Sequence, residues 1–126
     1  MYLYAAQAVR TVDGDTLIAS LDLGFNIHMQ VSIRLLGINC PEHGTPEGDA
    51  ATAFTAAWLA ANHDNLTVRT ILDKREKYGR LLGVVMSGAH TLNDDLVTAG
   101  HAVPYDGGKR TLPSEQGEPA APTPVP

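Results

Sequence analysis

The stretch "IHMQVSIRL", residues 27–35, alternates apolar and polar side chains without interruption. Because successive side chains of a β-strand point to opposite faces, this alternation predicts a strand with one face in a core and the other in solvent. Arg34 lies on the polar face, near the end of the strand. The apolar face comprises Ile27, Met29, Val31, Ile33 and Leu35.

Four further stretches have the composition of short strands and are separated by turns or by helical sequence. The first two flank "DGDT" (13–16), in which an Asp-Gly pair favours a turn. The segment between the last two, "DKREKYG" (73–79), is polar and contains a glycine. The sequence therefore predicts strands over residues 2–12, 16–22, 66–72 and 80–86.

A helix is predicted to follow the alternating strand. Thr45 is a residue type that caps helix N-termini, and Pro46 suits the first helical turn. We expect the helix to stop near Asn62. The spacing of apolar residues predicts one stripe that faces the core. That stripe consists of Ala50, Phe54, Ala57, Trp58 and Ala61.

A second, shorter helix is predicted from about Leu92 to Thr98, between a capping residue, Thr91, and a closing glycine, Gly100. The predicted order is thus three strands, a helix, two strands and a helix. Five short strands with a helix between the third and the fourth are typical of the OB fold, a partly open Greek-key barrel. We therefore expect a mainly β protein, a five-stranded OB-fold barrel with helices.

Composition limits the organisation of the chain. A chain of 126 residues suits a single domain, which we place at residues 1–105. Residues 106–126 are rich in proline and poor in large apolar side chains, so we expect a disordered tail. The single cysteine excludes an internal disulfide, and no apolar run is long enough to span a membrane. Because the N-terminal sequence lacks the features of a signal peptide, we expect a cytoplasmic protein. We also expect the protein to be a monomer.

Charge is distributed unevenly along the chain. The formal net charge of −5 argues against a protein covered with phosphate-binding lysines. Five basic and two acidic side chains nevertheless lie in the segment from Arg69 to Arg80. This cluster fits either a local contact with a polyanion or an ordinary solvated strand end.

Four features near the predicted strand ends carry groups suited to phosphate chemistry. DGDT holds two carboxylates, and "INCPE" (38–42) offers an amide, a backbone carbonyl and a carboxylate. Arg34 and "KYGR" (77–80) add two arginines and a tyrosine. Each feature taken singly fits an ordinary turn or surface residue. On the rim of one barrel, hard oxygen ligands suit Ca²⁺ or Mg²⁺ and paired arginines suit a phosphate, so together they indicate metal-assisted phosphodiester hydrolysis.

These motifs, in their order and spacing, resemble those of the staphylococcal nuclease (thermonuclease) family over about residues 8–105. The similar features are DGDT, an arginine before "LLG", a Pro-Glu pair, KYGR, and a leucine-bearing helix that ends at a glycine. The resemblance implies a five-stranded OB barrel with helices. It also implies Ca²⁺-dependent hydrolysis of single- and double-stranded DNA and RNA.

The resemblance implies a metal site made of three residues. Asp15 corresponds to a carboxylate that binds the metal, and Cys40 would contribute its backbone carbonyl. Asn39 stands where the family has a second metal-binding aspartate. Its amide oxygen is still a ligand for Ca²⁺ but carries no charge, so we expect weaker metal binding.

Three further residues correspond to the catalytic groups of the family. Glu42 would orient or deprotonate the attacking water. Arg34 and Arg80 would bind the scissile phosphate and stabilise its added charge. The presence of all three favours a nuclease over a catalytically silent OB module that binds nucleic acid or protein.

Five residues are assigned to the surroundings of this site. Lys77 and Tyr78 match residues near the phosphate of the bound nucleotide, and Tyr105 is a further candidate for contact with the nucleotide. Asp13 would support the metal ligands, and Thr16 could form hydrogen bonds around them. Unlike the best-known family member, the chain has a short loop after the Pro-Glu pair and a Pro-rich segment in place of a third helix.

Cys40 and His43 have the C-x-x-H spacing of a zinc ligand pair. A tetrahedral zinc site would need further ligands, and the other histidines of the chain form no motif. We therefore expect Cys40 to pack as a small apolar residue and His43 to lie in a loop near the site.

Overall fold

The computed structural model describes residues 2–75 and 80–105, in which the predicted strands and helices follow one another in the predicted order. The predicted tail (106–126) and the candidate residues Lys77 and Tyr78 lie outside the described residues. Neither of the helices found in the described part of the chain has the length and apolar character needed to cross a membrane. The elements are β1 (Tyr2–Asp13), β2 (Thr16–Asp22), β3 (His28–Leu35), β4 (Ile38–Asn39), α1 (Pro46–Ala61), β5 (Leu66–Arg75), β6 (Leu81–Ser87), β7 (His90–Thr91), α2 (Leu92–Thr98) and β8 (Val103–Pro104).

The five longer strands form the barrel that the sequence predicts. β1, β2 and β3 are an antiparallel meander, and β5 pairs with β1 on one side and with β6 on the other. β1 changes partner near Ala6, which has partners in both β2 and β5. A parallel pairing of β3 with β6, with Leu35 opposite Gly83, closes the barrel. The predicted OB-fold barrel with helices is therefore confirmed.

The core lies inside the barrel, where alternate side chains of β2 and β3 meet. Leu17 of β2 lies opposite Ile33 of β3, and both side chains are buried. At the other end of β3 the predicted apolar face leaves the core, since Ile27 is 54% exposed and Met29 is 46% exposed. β6 pairs only with the last residues of β3, so the barrel covers that end of the strand and not its beginning.

Helix α1 packs on the barrel mainly through small side chains. The predicted apolar stripe is wrong, because the residues that α1 buries are not those of the stripe. The hydroxyl of Thr55 donates a hydrogen bond of 2.6 Å to the carbonyl oxygen of Gly14 in the DGDT turn. At this distance only small side chains fit between the helix and the turn. The helix therefore turns a different face to the barrel from the predicted one, and Ala50, Ala57 and Ala61 are exposed. The buried face consists of Gly48, Ala51, Thr55 and Leu59.

The two aromatic residues of the predicted stripe lie beside the core and attach α1 to α2 and the segment that follows it. The ring centroids of Phe54 and His101 are 5.0 Å apart. The indole Nε1 of Trp58 donates a hydrogen bond of 2.8 Å to Oδ2 of Asp95. Phe54 and Trp58 therefore pack against the core, as predicted, but only partly buried.

Helix α2 carries a buried asparagine, Asn93, that links three parts of the fold. Its Oδ1 accepts a hydrogen bond of 3.2 Å from the backbone amide of Val85. Its Nδ2 donates to the carbonyl oxygens of Leu36 (2.9 Å) and Gly83 (3.3 Å). These hydrogen bonds fix α2 against β6 and against the turn after β3, and the Gly83 carbonyl oxygen also accepts one of 2.8 Å from the backbone amide of Leu36.

Three strands of two residues each, β4, β7 and β8, are too short for an alternating pattern and were not predicted. β4 and β8 pair with each other, with Ile38 opposite Pro104 and Asn39 opposite Val103. The backbone amide of Tyr105 then donates a hydrogen bond of 2.8 Å to the carbonyl oxygen of Gly37. The end of the described chain is thereby held against the INCPE segment.

Candidate active site

The DGDT turn places the carboxylate of Asp15 at the end of the barrel core, where the residue is 9% exposed. Its Oδ2 accepts a hydrogen bond of 2.9 Å from the backbone amide of Cys40. Its Oδ1 accepts one of 3.3 Å from the hydroxyl of Thr16. A buried carboxylate needs such donors, and here they connect the first hairpin to the INCPE segment.

Arg34 ends the polar face of β3, and its side chain is 12% exposed. Its Nη1 lies 3.6 Å from Oδ2 of Asp15 and donates a hydrogen bond of 2.9 Å to the carbonyl oxygen of Leu35. Its Nη2 donates a hydrogen bond of 3.1 Å to Oδ1 of Asn39. The carboxylate of Asp15 and the amide oxygen of Asn39 therefore face the same guanidinium group.

Arg80 reaches the same place from the residue before β6. Its Nη1 donates a hydrogen bond of 3.3 Å to the hydroxyl oxygen of Thr16, which itself donates to Asp15. Two guanidinium groups that are distant in sequence are thus connected to one buried carboxylate. We call this set the Asp15 network; its members are Asp15, Thr16, Arg34, Asn39 and Arg80.

Glu42 lies on the short loop that leads from β4 into α1, and it is exposed. Its position is fixed through the backbone, since its carbonyl oxygen accepts a hydrogen bond of 2.7 Å from the hydroxyl of Thr45. A carboxylate that receives a proton from water has to be in contact with water, and the exposure of Glu42 meets this requirement.

The outer candidate residues lie at the edge of this arrangement. Oδ1 of Asp13 is 3.4 Å from Nδ1 of His43, so the loop histidine lies beside the DGDT turn. Tyr105 is half-buried next to β4 through the backbone contact with Gly37. The contacts with Asp13 and Gly37 connect both His43 and Tyr105 to the segments that carry the site.

Cys40 is a buried core residue, as predicted. Burial, followed by the negative charges of Asp15 and Asp13, raises the pKa of the Cys40 thiol to about 12, although the charge of Arg34 acts in the opposite direction. The thiol is therefore protonated at neutral pH. Among the described residues no group of three or more His, Cys, Asp or Glu side chains is placed to hold a metal ion.

The oxygen atoms of Asp15 and Asn39 nevertheless fit a hard cation. Both lie within 3.6 Å of the guanidinium group of Arg34 and are therefore close to each other. Oxygen donors of this kind suit Ca²⁺, and the carbonyl group of Cys40 is of the same chemical class. Asp15 is the one carboxylate among these three oxygen donors, so they carry less negative charge than a site with two carboxylates would.

A comparison with protein families places this geometry in context. The family model described as staphylococcal nuclease homologue matches residues 32–118, which is most of the chain. The chain belongs to this family. The match includes the site residues Arg34, Asn39, Cys40, Glu42 and Arg80. The DGDT turn lies before the matched range and is joined to it by the contacts of Asp15 with Cys40 and of Thr16 with Arg80. No curated protein matches the chain.

Two residues that support Glu42 in this family member were not assigned to the site from the sequence. Thr45 was predicted as a helix cap, and it does accept a hydrogen bond of 3.0 Å from the amide of Gly48, but its contact with Glu42 was not anticipated. Gly48 lies inside the first turn of α1. The available signal was a glycine within a helical pattern, which is unfavourable for a helix and therefore indicates a close contact.

Proposed function

We propose that this member of the staphylococcal nuclease homologue family is a Ca²⁺-dependent, sequence-nonspecific endonuclease that hydrolyses phosphodiester bonds of DNA and RNA. The observation that carries the proposal is the Asp15 network, in which Arg34 lies against a buried carboxylate and Arg80, from a distant part of the chain, is connected to it through the hydroxyl of Thr16. A binding module has no need of this arrangement together with an exposed Glu42 on the adjoining loop. The substrate partner is nucleic acid, and the protein acts as a monomer.

In the proposed reaction, Arg34 and Arg80 donate hydrogen bonds to the oxygens of the scissile phosphate. Their positive charges stabilise the negative charge that these oxygens gain in the transition state. Glu42 accepts a proton as a water oxygen forms its bond to phosphorus. The ester bond on the opposite side of the phosphorus breaks, and the departing oxygen takes up a proton.

Asp15, Asn39 and the backbone carbonyl of Cys40 would hold the Ca²⁺ ion. When bound, Ca²⁺ supplies a Lewis acid that neutralises charge on the phosphate. The protein contributes the fixed positions of these oxygens, because Asp15 is bound to the amide of Cys40 and Asn39 is paired with β8. Lys77, Tyr78 and Tyr105 remain candidates for contact with the nucleotide.

The proposal is tested by incubating the purified protein with plasmid DNA, single-stranded DNA and RNA in millimolar Ca²⁺. We expect cleavage of all three, its loss on addition of a chelator, and a large reduction in the Glu42→Gln variant. If the protein cleaves no faster than Glu42→Gln but retards the nucleic acids on a gel, the alternative of a catalytically silent OB module is correct.

A second prediction concerns Asn39. Asn39→Asp should lower the Ca²⁺ concentration that gives half-maximal cleavage by roughly tenfold, because ligand charge tunes calcium affinity strongly. Calorimetric titration of Ca²⁺ into the protein measures the same change without substrate. Asn65→Asp is the matched control, since residue 65 is exposed and lies outside the site. A Ca²⁺ requirement that stays the same or rises in Asn39→Asp would contradict the assignment of Asn39 as a ligand.

A further inference from the structure

The side chain of Glu42 is exposed, so its position has to be fixed by contacts of its backbone. The residue lies in the loop between β4 and α1, and loops are the more mobile parts of a protein. A base that acts on water beside a phosphate has to be held closely, since a displacement of about 1 Å can cost about 10²-fold in rate. The contacts that hold Glu42 are therefore relevant to the proposed reaction.

The first contact is with Thr45, the N-cap of α1. Its hydroxyl donates a hydrogen bond of 2.7 Å to the Glu42 carbonyl oxygen and accepts one of 3.0 Å from the backbone amide of Gly48. The amide of Thr45 adds a hydrogen bond of 3.3 Å to the same carbonyl oxygen of Glu42. One side chain thus ends the loop, starts the helix and fixes the backbone of Glu42.

The second contact is with Gly48, in the first turn of α1. A Cβ atom on this residue would overlap the carbonyl oxygen of Glu42, and it would lie 2.5 Å from the carbonyl carbon of Glu42 and 3.0 Å from the carbonyl oxygen of Pro41. These atoms belong to the backbone and cannot move away as a flexible side chain could. Glycine is a poor helix former, so its presence inside a helix indicates that this close approach is required.

We propose that Thr45 and Gly48 form an anchor for Glu42, and that both are positioning residues for the hydrolytic step. This inference rests on the proposed nuclease function. Both residues belong to the start of α1, so the anchor ties the loop at Glu42 to the hydrogen-bonded first turn of the helix. Any side chain at position 48 displaces the backbone of Glu42, and with it the carboxylate. Removal of the Thr45 hydroxyl takes away the shorter of the two hydrogen bonds that this carbonyl group accepts and leaves the longer one from the Thr45 amide.

The test is a double-mutant cycle in kcat for DNA cleavage. Gly48→Ala should lower kcat by about 10²-fold in the native background and by no more than about twofold in the Glu42→Gln background, because its effect acts through Glu42. KM should change little in either case. Thr45→Ala should behave in the same way, and Thr45→Ser, which keeps the hydroxyl, should retain most of the activity. Ala53→Gly, at an exposed position of the same helix, is the control for altered helix stability.

A second measurement follows the backbone directly by NMR. The amide resonances of Glu42 and His43 should shift in Gly48→Ala and stay in place in Ala53→Gly. Equal effects of Gly48→Ala in both kinetic backgrounds, or unshifted amides, would overturn the anchor while leaving the nuclease function intact. An inactive native protein would overturn the nuclease function and with it the catalytic role of the anchor, and the amide shifts would then decide only whether the anchor holds the backbone.

Discussion

Arg80→Lys is expected to slow DNA cleavage by about 10²- to 10³-fold, the usual cost of removing one donor that stabilises a developing oxyanion. Lysine keeps the positive charge but has a single ammonium group in place of the planar fork of arginine, so it cannot bind a phosphate through two parallel hydrogen bonds. The loss should appear mainly in kcat, because the donor acts on charge that develops in the transition state.

Arg69→Lys is the matched control for this change. Residue 69 is an exposed arginine on β5 outside the Asp15 network, and its replacement should alter kcat by no more than about twofold. Thermal unfolding of both variants would show whether the barrel is intact, since Arg80 also donates to Thr16. Equal rates for Arg80→Lys and the native protein would contradict the assignment of Arg80 to the phosphate.

Asn93→Ala is expected to lower the free energy of unfolding by about 3 to 5 kcal/mol, since an unpaired buried polar group costs about 1 to 3 kcal/mol. The change removes the Asn93 partner of the Val85 amide and of the Leu36 carbonyl group, while the Gly83 carbonyl group keeps its hydrogen bond of 2.8 Å from the backbone amide of Leu36. Urea denaturation followed by circular dichroism measures this loss as a lower midpoint with an unchanged slope. The size of the effect reflects the two backbone groups, the Val85 amide and the Leu36 carbonyl, that lose the Asn93 side chain as a partner.

Asn65→Ala provides the comparison for Asn93→Ala. Asn65 is exposed, and its side chain donates a single hydrogen bond of 3.4 Å to Ser87. Its replacement should cost no more than about 1 kcal/mol, as expected for one long hydrogen bond near the surface. If the two alanine variants were equally stable, the buried contacts of Asn93 would not be a major part of the stability of the fold.

The barrel could be predicted because local rules and the fold agree in its strands. Alternation identified β2 over its full range, Thr16–Asp22, and β3 to within one residue. Both helices begin after the threonines that were expected to cap them. Alternation and capping are properties of neighbouring residues, so a single sequence contains them.

Features that depend on contacts between distant segments were beyond the reach of these rules. The helix α1 turns its small residues to the barrel because Thr55 meets Gly14, and periodicity could not show which face that contact would select. The candidate site likewise has one part that could be predicted from motifs and another that could not. The residue types of Asp15, Arg34 and Arg80 could be identified from motifs, whereas the bridging position of Thr16 between Arg80 and Asp15 became visible only in the fold.

The pairing of β4 with β8 has a consequence for the order in which the protein acquires activity. Asn39 is fixed by Val103, a partner near the far end of the described chain. Contacts between residues so far apart in sequence require the closure of a long loop, and such contacts make folding slow. The meander of β1, β2 and β3 can form from neighbouring segments, but the backbone at Asn39 gains its last strand partner only when Val103 arrives. On the proposed function, the hydrolytic site is complete only once the segment around Val103 has joined the fold.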